Sequence, residues 1–278
     1  MAQLYEDQYV NVGGINTRFW KAGDRGKVVI LVHGLFSSVE FWLSNLPALA
    51  GNHRVYALDM PGFGLTDKIP LSSLSHGAQF IDDFMKTQNI NRASLVGHSM
   101  GGGLSLQYTI QYPDRVDRLV LIDGFGLGRK MHYLFRLLTV PVIGELLTRP
   151  SRNGIKKSQS MVVYDRSVIT DEIIDTSYRL ALLPGAQKSL LSMLRKGGSI
   201  FGIHPEYVRS ITDNLHNVKT PTLIIWGEQD RLLPVEQGYV ARDKMPDAQL
   251  EVFERCGHLP HLEYPDKFNS LVLEFLAK

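Results

Sequence analysis

The feature that most constrains the fold is a serine between two glycines, in the segment 97–101 that reads Gly-His-Ser-Met-Gly. It directly follows a short apolar run at residues 93–96. A strand that ends in G-x-S-x-G and continues into a helix makes a sharp turn, which strains the serine backbone and lifts its hydroxyl clear of both elements. Residues 102–110 lack proline and carry regularly placed apolar side chains, as a buried helix would. The segment therefore predicts a nucleophile elbow at Ser99.

Short aliphatic runs alternate with helical stretches along most of the chain. Strands are predicted at residues 28–32, 54–58, 93–96, 118–122, 222–226 and 249–253, and helices at 39–49, 75–88, 99–111, 235–244 and 265–276. Most of these strands are apolar on both faces, which is typical of a parallel sheet covered by helices. Residues 9–20 alternate around Gly13 and Gly14 and predict an antiparallel hairpin at the sheet edge. The predicted fold class is α/β, with a mostly parallel, eight-stranded sheet flanked by helices.

This alternation stops between Gly124 and about Asn217, where helical patterns are punctuated by prolines. An insertion of that size, after the sixth strand, predicts a helical cap over the strand ends, where ligands bind in open α/β sheets. The predicted domains are a core of residues 1–124 and 218–278 and a cap of residues 125–217. Because the cap would cover the site, we expect it to determine substrate choice.

The charge and composition exclude several classes of protein. Thirty basic against 28 acidic residues give a net charge of +2, which offers no general electrostatic case for nucleic acid, so a small-molecule substrate is expected. No apolar run is long enough to predict a membrane span, and residues 1–7 carry acids where a signal peptide carries bases, so a cytoplasmic location is expected. The single cysteine excludes an internal disulfide framework. Whether the chain is a monomer or a homodimer stays open.

Basic side chains are concentrated in the predicted cap. They are Arg129, Lys130, Arg136, Arg149, Arg152, Lys156 and Lys157, and they outnumber the acids around them. Such charge is usually a solvated face, and the alternatives are an attraction for anionic substrates or for a lipid surface at low salt.

A serine hydroxyl is a poor nucleophile near neutral pH and needs a base, which itself needs an acid to hold its tautomer. His258 follows the strand at 249–253, and Asp230 follows the strand at 222–226, so the chain order is serine, aspartate, histidine. We therefore predict Ser99, Asp230 and His258 as the catalytic residues. Glu228 and Asp123 remain alternatives for the acid, and His261 is the nearest substitute for the base.

An oxyanion hole requires two backbone amides near the nucleophile. Met100 begins the helix after the serine, and Leu35 follows the first apolar strand, so their N–H groups are predicted to hold the oxyanion, with Phe36 as the nearest alternative to Leu35. His33 is interpreted as structural, with its ring bonded to nearby backbone. No cofactor is required for this chemistry.

A metal site is not predicted. Cys256, His258 and His261 lie within one short loop, and three possible ligands without a fourth elsewhere make a weak case for zinc.

Five local patterns in order resemble the α/β-hydrolase superfamily. They are His33-Gly34, the segment 59–66 (Asp-Met-Pro-Gly-Phe-Gly-Leu-Thr), Gly97 to Gly102, the segment 226–234 (Trp-Gly-Glu-Gln-Asp-Arg-Leu-Leu-Pro) and Gly257-His258. The resemblance covers nearly all of the chain outside the cap and implies the α/β-hydrolase fold. Dehalogenases and epoxide hydrolases of this fold have aspartate where this chain has Ser99, so the resemblance favours serine chemistry.

Within serine chemistry the chain resembles carboxylesterases and lipases, which implies cleavage of carboxylic esters of short to medium acyl chains through an acyl-enzyme. Its carboxyl-terminal third is also similar to the meta-cleavage product hydrolases, which cut carbon–carbon bonds in vinylogous 1,5-diketones. That alternative requires a basic cap residue for the substrate carboxylate, with Arg179 or Arg195 as candidates. The chain departs from those hydrolases in its Leu35-Phe36 loop and in Leu259 after the histidine. A non-enzymatic small-ligand receptor is the alternative of another class.

Overall fold

The computed structural model describes residues 5–278. The sequence prediction about a signal peptide concerned residues 1–7, and residues 1–4 of that stretch lie outside the described residues. The strands are β1 (Gln8–Val12), β2 (Ile15–Ala22), β3 (Val28–Val32), β4 (Arg54–Leu58), β5 (Ala93–His98), β6 (Val116–Ile122), β7 (Gly198–Ser199), β8 (Gly202–Ile203), β9 (Thr222–Gly227) and β10 (Ala248–Phe253). Eight of them form one sheet in the order β1-β2-β4-β3-β5-β6-β9-β10. Only β1 with β2 and β2 with β4 pair antiparallel in this sheet. The predicted fold class and the edge hairpin are confirmed.

Twelve α-helices accompany the sheet in the described chain. They are α1 (Leu46–Ala50), α2 (Leu74–Thr87), α3 (Met100–Gln111), α4 (Tyr133–Leu138), α5 (Ile143–Leu147), α6 (Arg152–Val162), α7 (Asp171–Ala181), α8 (Ala186–Gly197), α9 (Pro205–Thr212), α10 (Glu236–Lys244), α11 (Pro260–Glu263) and α12 (Pro265–Ala277). No helix of residues 5–278 combines the length and the apolar character needed to cross a bilayer.

The central strands hold two helical layers because their side chains alternate between the sheet faces. Ile30 and Val32 of β3 pack into a core shared with α2 and α3, whereas Val29 and Leu31 pack into a second core with α1 and α12. All four side chains are fully buried, and each contributes about 1.5–3 kcal/mol relative to exposure. The carboxyl ends of these strands therefore form a rigid edge on which loops can be positioned.

One predicted helix is wrong. Residues 39–49 form two short pieces, a 3-10 helix at Val39–Trp42 and then α1, separated by residues 43–45. Pro47 lies in the first turn of α1 and has no N–H to continue a helical ladder from the preceding turn. The other predicted strands and helices match the structure to within two residues at each end.

The insertion between β6 and β9 contains α4 to α9 and the small β7–β8 sheet. These two-residue strands escape sequence analysis because they are too short to show alternation, and their turn depends on Gly202, which has φ of 103°. The division into a core of residues 1–124 and 218–278 and a cap of residues 125–217 stays a prediction.

The close approach of α3 to β3 gives a stability prediction. A Cβ atom on Gly101 would lie 2.1 Å from the carbonyl oxygen of Val32, so Gly101→Ala should lower the free energy of unfolding by about 3 kcal/mol. Urea unfolding measures this effect. Gly51→Ala is the matched control, because its Cβ would have 3.4 Å to the nearest atom, and we expect a change of at most about 0.5 kcal/mol. An unchanged midpoint in Gly101→Ala would contradict the packing argument.

Candidate active site

Ser99 occupies a strained turn between β5 and α3. Its backbone has φ of 53° and ψ of −116°, a combination that costs on the order of 1–3 kcal/mol and is held by the surrounding hydrogen bonds. The Ser99 N–H donates to the carbonyl oxygen of Ile122 at 2.8 Å, and its carbonyl oxygen accepts from the N–H of Phe125 at 2.9 Å. A Cβ on Gly34 would lie 3.0 Å from the Cβ of Ser99, so the loop after β3 passes directly over the serine.

The structure brings the three predicted catalytic side chains together. Ser99 Oγ lies 2.9 Å from His258 Nε2, and His258 Nδ1 lies 2.6 Å from Asp230 Oδ2. The other oxygen of Asp230 accepts from the N–H groups of Leu232 at 2.7 Å and Leu233 at 3.0 Å, which fixes the carboxylate. All three side chains are buried. In this geometry His258 can accept the serine proton at Nε2 while Asp230 holds its Nδ1–H, and these roles remain our prediction.

Neither alternative acid is hydrogen-bonded to His258 in the described chain, although Asp123 lies within 4.8 Å of it. The Glu228 side chain is exposed and accepts from the amide of Gln229. Asp123 is fully buried, and its Oδ1 accepts from the N–H of Gly227 at 3.0 Å. Burial and, next, the charge of Asp230 raise the pKa of Asp123 well above its usual range, which favours the protonated form of this carboxyl.

Two further histidines lie behind His258: His98 and His261, of which His261 is the predicted substitute for the base. His98 donates from Nε2 to the carbonyl oxygen of His258 at 2.8 Å, and its ring lies 4.8 Å from that of His261. Burial, followed by the neighbouring histidines, lowers the pKa of His98 well below its usual range, and burial lowers the pKa of His261 to about 3. Both rings are therefore neutral, and the His98 bond fixes the backbone that carries His258. The sequence did contain a signal for His98, because this residue stands inside the G-x-S-x-G segment and is therefore next to Ser99.

Three of the side chains described above lie close enough together to be considered as metal ligands. Ligand atoms of His98, Asp123 and His258 lie within 4.8 Å of one another. Both ring nitrogens of His258 are engaged, by Ser99 and by Asp230, and no chemistry in this site is assigned to a metal. Cys256 is buried, which raises the pKa of its thiol above the usual range.

A cavity of about 490 Å³ opens above Ser99, and its lining includes Leu35 and Met100, the predicted oxyanion residues. The loop that carries Leu35 is held by His33, which bonds from Nδ1 to the carbonyl oxygen of Gly34 at 2.7 Å and accepts at Nε2 from Met60 N–H at 3.0 Å. Burial lowers the pKa of His33 to about 4, so the ring is neutral. This bonding matches its predicted structural role.

The cavity walls are mainly apolar side chains from the insertion and the core. They include Phe41, Phe63, Phe135, Leu190, Met193 and Leu194. Neither arginine proposed from the sequence as a carboxylate partner lines this cavity: Arg179 is exposed, and Arg195 pairs with Glu145 at 2.8 Å. The cations in its lining are Lys68, Arg149 and Lys157.

A parallel α/β sheet that presents a serine on a sharp turn, hydrogen-bonded to histidine and aspartate from later loops, defines the class of α/β serine hydrolases. Residues 27–265 match the model of the alpha/beta hydrolase fold family. The chain belongs to the α/β-hydrolase family and is a hydrolase.

Several proteins of this family are similar to almost the whole chain. The chain is 31% identical to the 2-hydroxy-6-oxo-6-phenylhexa-2,4-dienoate hydrolase of Burkholderia cepacia, over 91% of this chain and 88% of the relative. It is 32% identical to the 2-hydroxy-6-oxo-6-(2'-aminophenyl)hexa-2,4-dienoic acid hydrolase of Metapseudomonas resinovorans, over 99% and 92%. The solved structure of the meta-cleavage product hydrolase of Pseudomonas fluorescens superposes with a TM-score of 0.83 at 31% identity, covering 97% of each chain. These three proteins are named as dienoate or meta-cleavage product hydrolases, and none of them is named as a carboxylesterase, the class expected from the sequence.

Proposed function

We propose that this protein hydrolyses a carbon–carbon bond in 2-hydroxy-6-oxo-hexa-2,4-dienoates, the ring-fission products of aromatic compounds. The observation that carries this proposal is the likeness to dienoate hydrolases over almost the whole chain, cap included, together with a serine and histidine already in hydrogen-bond contact. The ester specificity expected from the sequence becomes the second candidate.

The bond broken would be the one between C5 and C6. In the keto tautomer of the dienol, the electron pair of that bond can pass through the vinylogous system to the oxygen on C2. Ser99 Oγ adds to the C6 carbonyl while its proton moves to His258 Nε2, and the amides of Leu35 and Met100 hold the oxyanion. Breaking the bond leaves an acyl-serine and a dienolate, and the proton released by His258 goes to the C2 oxygen of that dienolate, because C5 already carries the proton that it gained when the keto tautomer formed. Water then releases the C6 acid, so the products are a carboxylate and 2-hydroxypenta-2,4-dienoate.

The cavity lining contains groups that suit both ends of such a substrate, the C6 substituent and the C1 carboxylate. Its apolar walls suit an aromatic or alkyl group on C6, and a volume of about 490 Å³ accommodates it. The ammonium of Lys68 is held by the carbonyl oxygens of Gly64 at 2.6 Å and Thr66 at 2.7 Å. Arg149 and Lys157 are therefore the lining cations left for the C1 carboxylate.

Ester hydrolysis remains the second candidate because of one observation. Arg149 and Lys157 are exposed, so an apolar acyl chain would meet few charges in the deeper part of the cavity. The same serine, histidine and amides would act on an ester carbonyl, with an alcohol as the leaving group.

Two assays run side by side separate the candidates. We expect the 6-phenyl dienoate to lose its yellow absorbance with a kcat/KM about tenfold or more above that of the 6-methyl compound, because the apolar cavity favours the larger group. p-Nitrophenyl esters of two to twelve acyl carbons test the second candidate. Rapid ester cleavage with persistent colour of every dienoate would contradict the proposed bond specificity.

A further inference from the structure

Helix α5 presents apolar side chains to solvent. Val142, just before the helix, is 68% exposed, and Ile143, Leu146 and Leu147 are 41%, 52% and 59% exposed. Because residues four apart share a helix side, these residues form one patch, here called the α5 face. Val142 also has φ of 69°, a left-handed conformation that is strained for a β-branched residue. Strain that holds an apolar residue out in water indicates a function for the exposed position.

The α5 face borders the mouth of the substrate cavity. Leu147 and Arg149 line the cavity and are themselves exposed, as are Gly154 and Lys157 of α6. Exposed lining residues mark the opening, so a surface that covered the α5 face would lie next to the route by which substrate enters.

The surroundings of the mouth are basic. Residues 146–164 contain four Lys or Arg and no Asp or Glu, and of these four Arg152 pairs with Asp171 and Asp175. A surface cleft of about 520 Å³ lies beside the mouth and shares Lys157 and Met161 with the cavity lining. Its remaining lining residues are Asn153, Lys156, Ser160, Arg166 and Arg231, so within the described chain four cations and no carboxylate face this cleft.

The charges of the whole chain are also unevenly distributed, with the excess of basic residues in the insertion. Residues 125–217 hold 13 Lys and Arg against seven Asp and Glu, whereas the rest of the chain is net acidic. A negatively charged surface would therefore attract the insertion and repel the core, which orients the molecule with the cavity mouth toward that surface.

We propose that the α5 face and the basic cleft dock on a bilayer that contains anionic phospholipid. The exposed aliphatic side chains would enter the interface between headgroups and acyl chains, and the cleft would bind lipid phosphates. A second copy of this chain fits less well, because pairing two α5 faces would bring two basic clefts together. The proposal concerns where the enzyme works and does not depend on the bond that it cleaves.

Vesicle co-sedimentation of the full-length protein tests this. We expect binding to equimolar phosphatidylcholine and phosphatidylglycerol to be at least about tenfold tighter than to phosphatidylcholine alone, and to weaken as salt is raised. Val142→Ser combined with Leu146→Ser should weaken anionic-vesicle binding by about tenfold or more. Neither residue lines the cavity, so turnover of a water-soluble substrate should be unchanged, which also shows that the variant folds.

The matched control is Val240→Ser, an exposed aliphatic residue on α10 of the core, which should bind vesicles as the unaltered protein does. Failure of the unaltered protein to bind anionic vesicles, or equal binding by the Val142 and Leu146 double variant, would overturn the proposal. Light scattering that finds a dimer only when the α5 face is intact would assign that face to self-association and would overturn it as well.

Discussion

Ser99→Ala is expected to lower turnover by a factor of about 10⁴ or more on whichever substrate class the protein cleaves, and to leave the fold unchanged. The hydroxyl supplies the attacking oxygen, and no other side-chain oxygen bonds to His258 Nε2 in the described chain. Removing Oγ leaves the strained backbone in place, because the Ser99 N–H and carbonyl keep their bonds to Ile122 and Phe125. Substrate binding should therefore survive while the chemical step is lost.

The measurement is single-turnover and steady-state kinetics with the preferred dienoate or ester, beside urea unfolding of the same preparations. Ser105→Ala is the matched control, since Ser105 is a buried serine of α3 whose hydroxyl makes no hydrogen bond to His258. We expect Ser105→Ala to retain most of the activity. A Ser99→Ala preparation that keeps substantial turnover would show that another group attacks the substrate, and it would remove the basis of both candidate reactions.

Those parts of the fold that depend on local sequence pattern could be predicted. β3 is apolar at every position because both of its faces are covered, and this run identifies a buried parallel strand without any knowledge of its neighbours. The turn at Ser99 is also marked by a local contact, since Gly97, the glycine before it, is required by residues a few positions away. A Cβ on Gly97 would lie 2.5 Å from the carbonyl oxygen of Gly101.

Side-chain contacts between distant segments could not be predicted where no motif marks them, in contrast to the contacts of Ser99, Asp230 and His258. Arg195 was a plausible carboxylate ligand until the fold placed Glu145, fifty residues earlier, against it. The contact between the rings of His98 and His261 likewise requires the loop after β10 to lie next to Ser99, and spacing along the chain carries no sign of that contact. Substrate choice falls in the same category, because the cavity wall is assembled from helices of the insertion whose packing has no local signal.

Asp230→Asn is expected to lower turnover by about 10³ to 10⁴, whereas Asp123→Asn should cost less than about tenfold. The Asp230 carboxylate accepts from His258 Nδ1 at 2.6 Å and stabilises the imidazolium that forms during attack, and a neutral amide cannot supply that charge. Burial and then Asp230 raise the pKa of Asp123, which favours its neutral form, and asparagine reproduces the shape of that form and can still accept from Gly227 N–H. Comparing kcat/KM of the two variants against pH therefore decides which carboxyl serves His258.

The Asp230→Asn variant should also change the ionisation of its neighbour. Burial is the largest cause that raises the pKa of Asp123, and the charge of Asp230 is the next, so removing that charge lets Asp123 ionise at a lower pH than before. Any residual activity that rises with pH in Asp230→Asn and vanishes when Asp123→Asn is added would identify Asp123 as a substitute acid close to His258. Equal losses in the two single variants would contradict this division of roles and would mean that the buried carboxyls act as one proton-sharing pair.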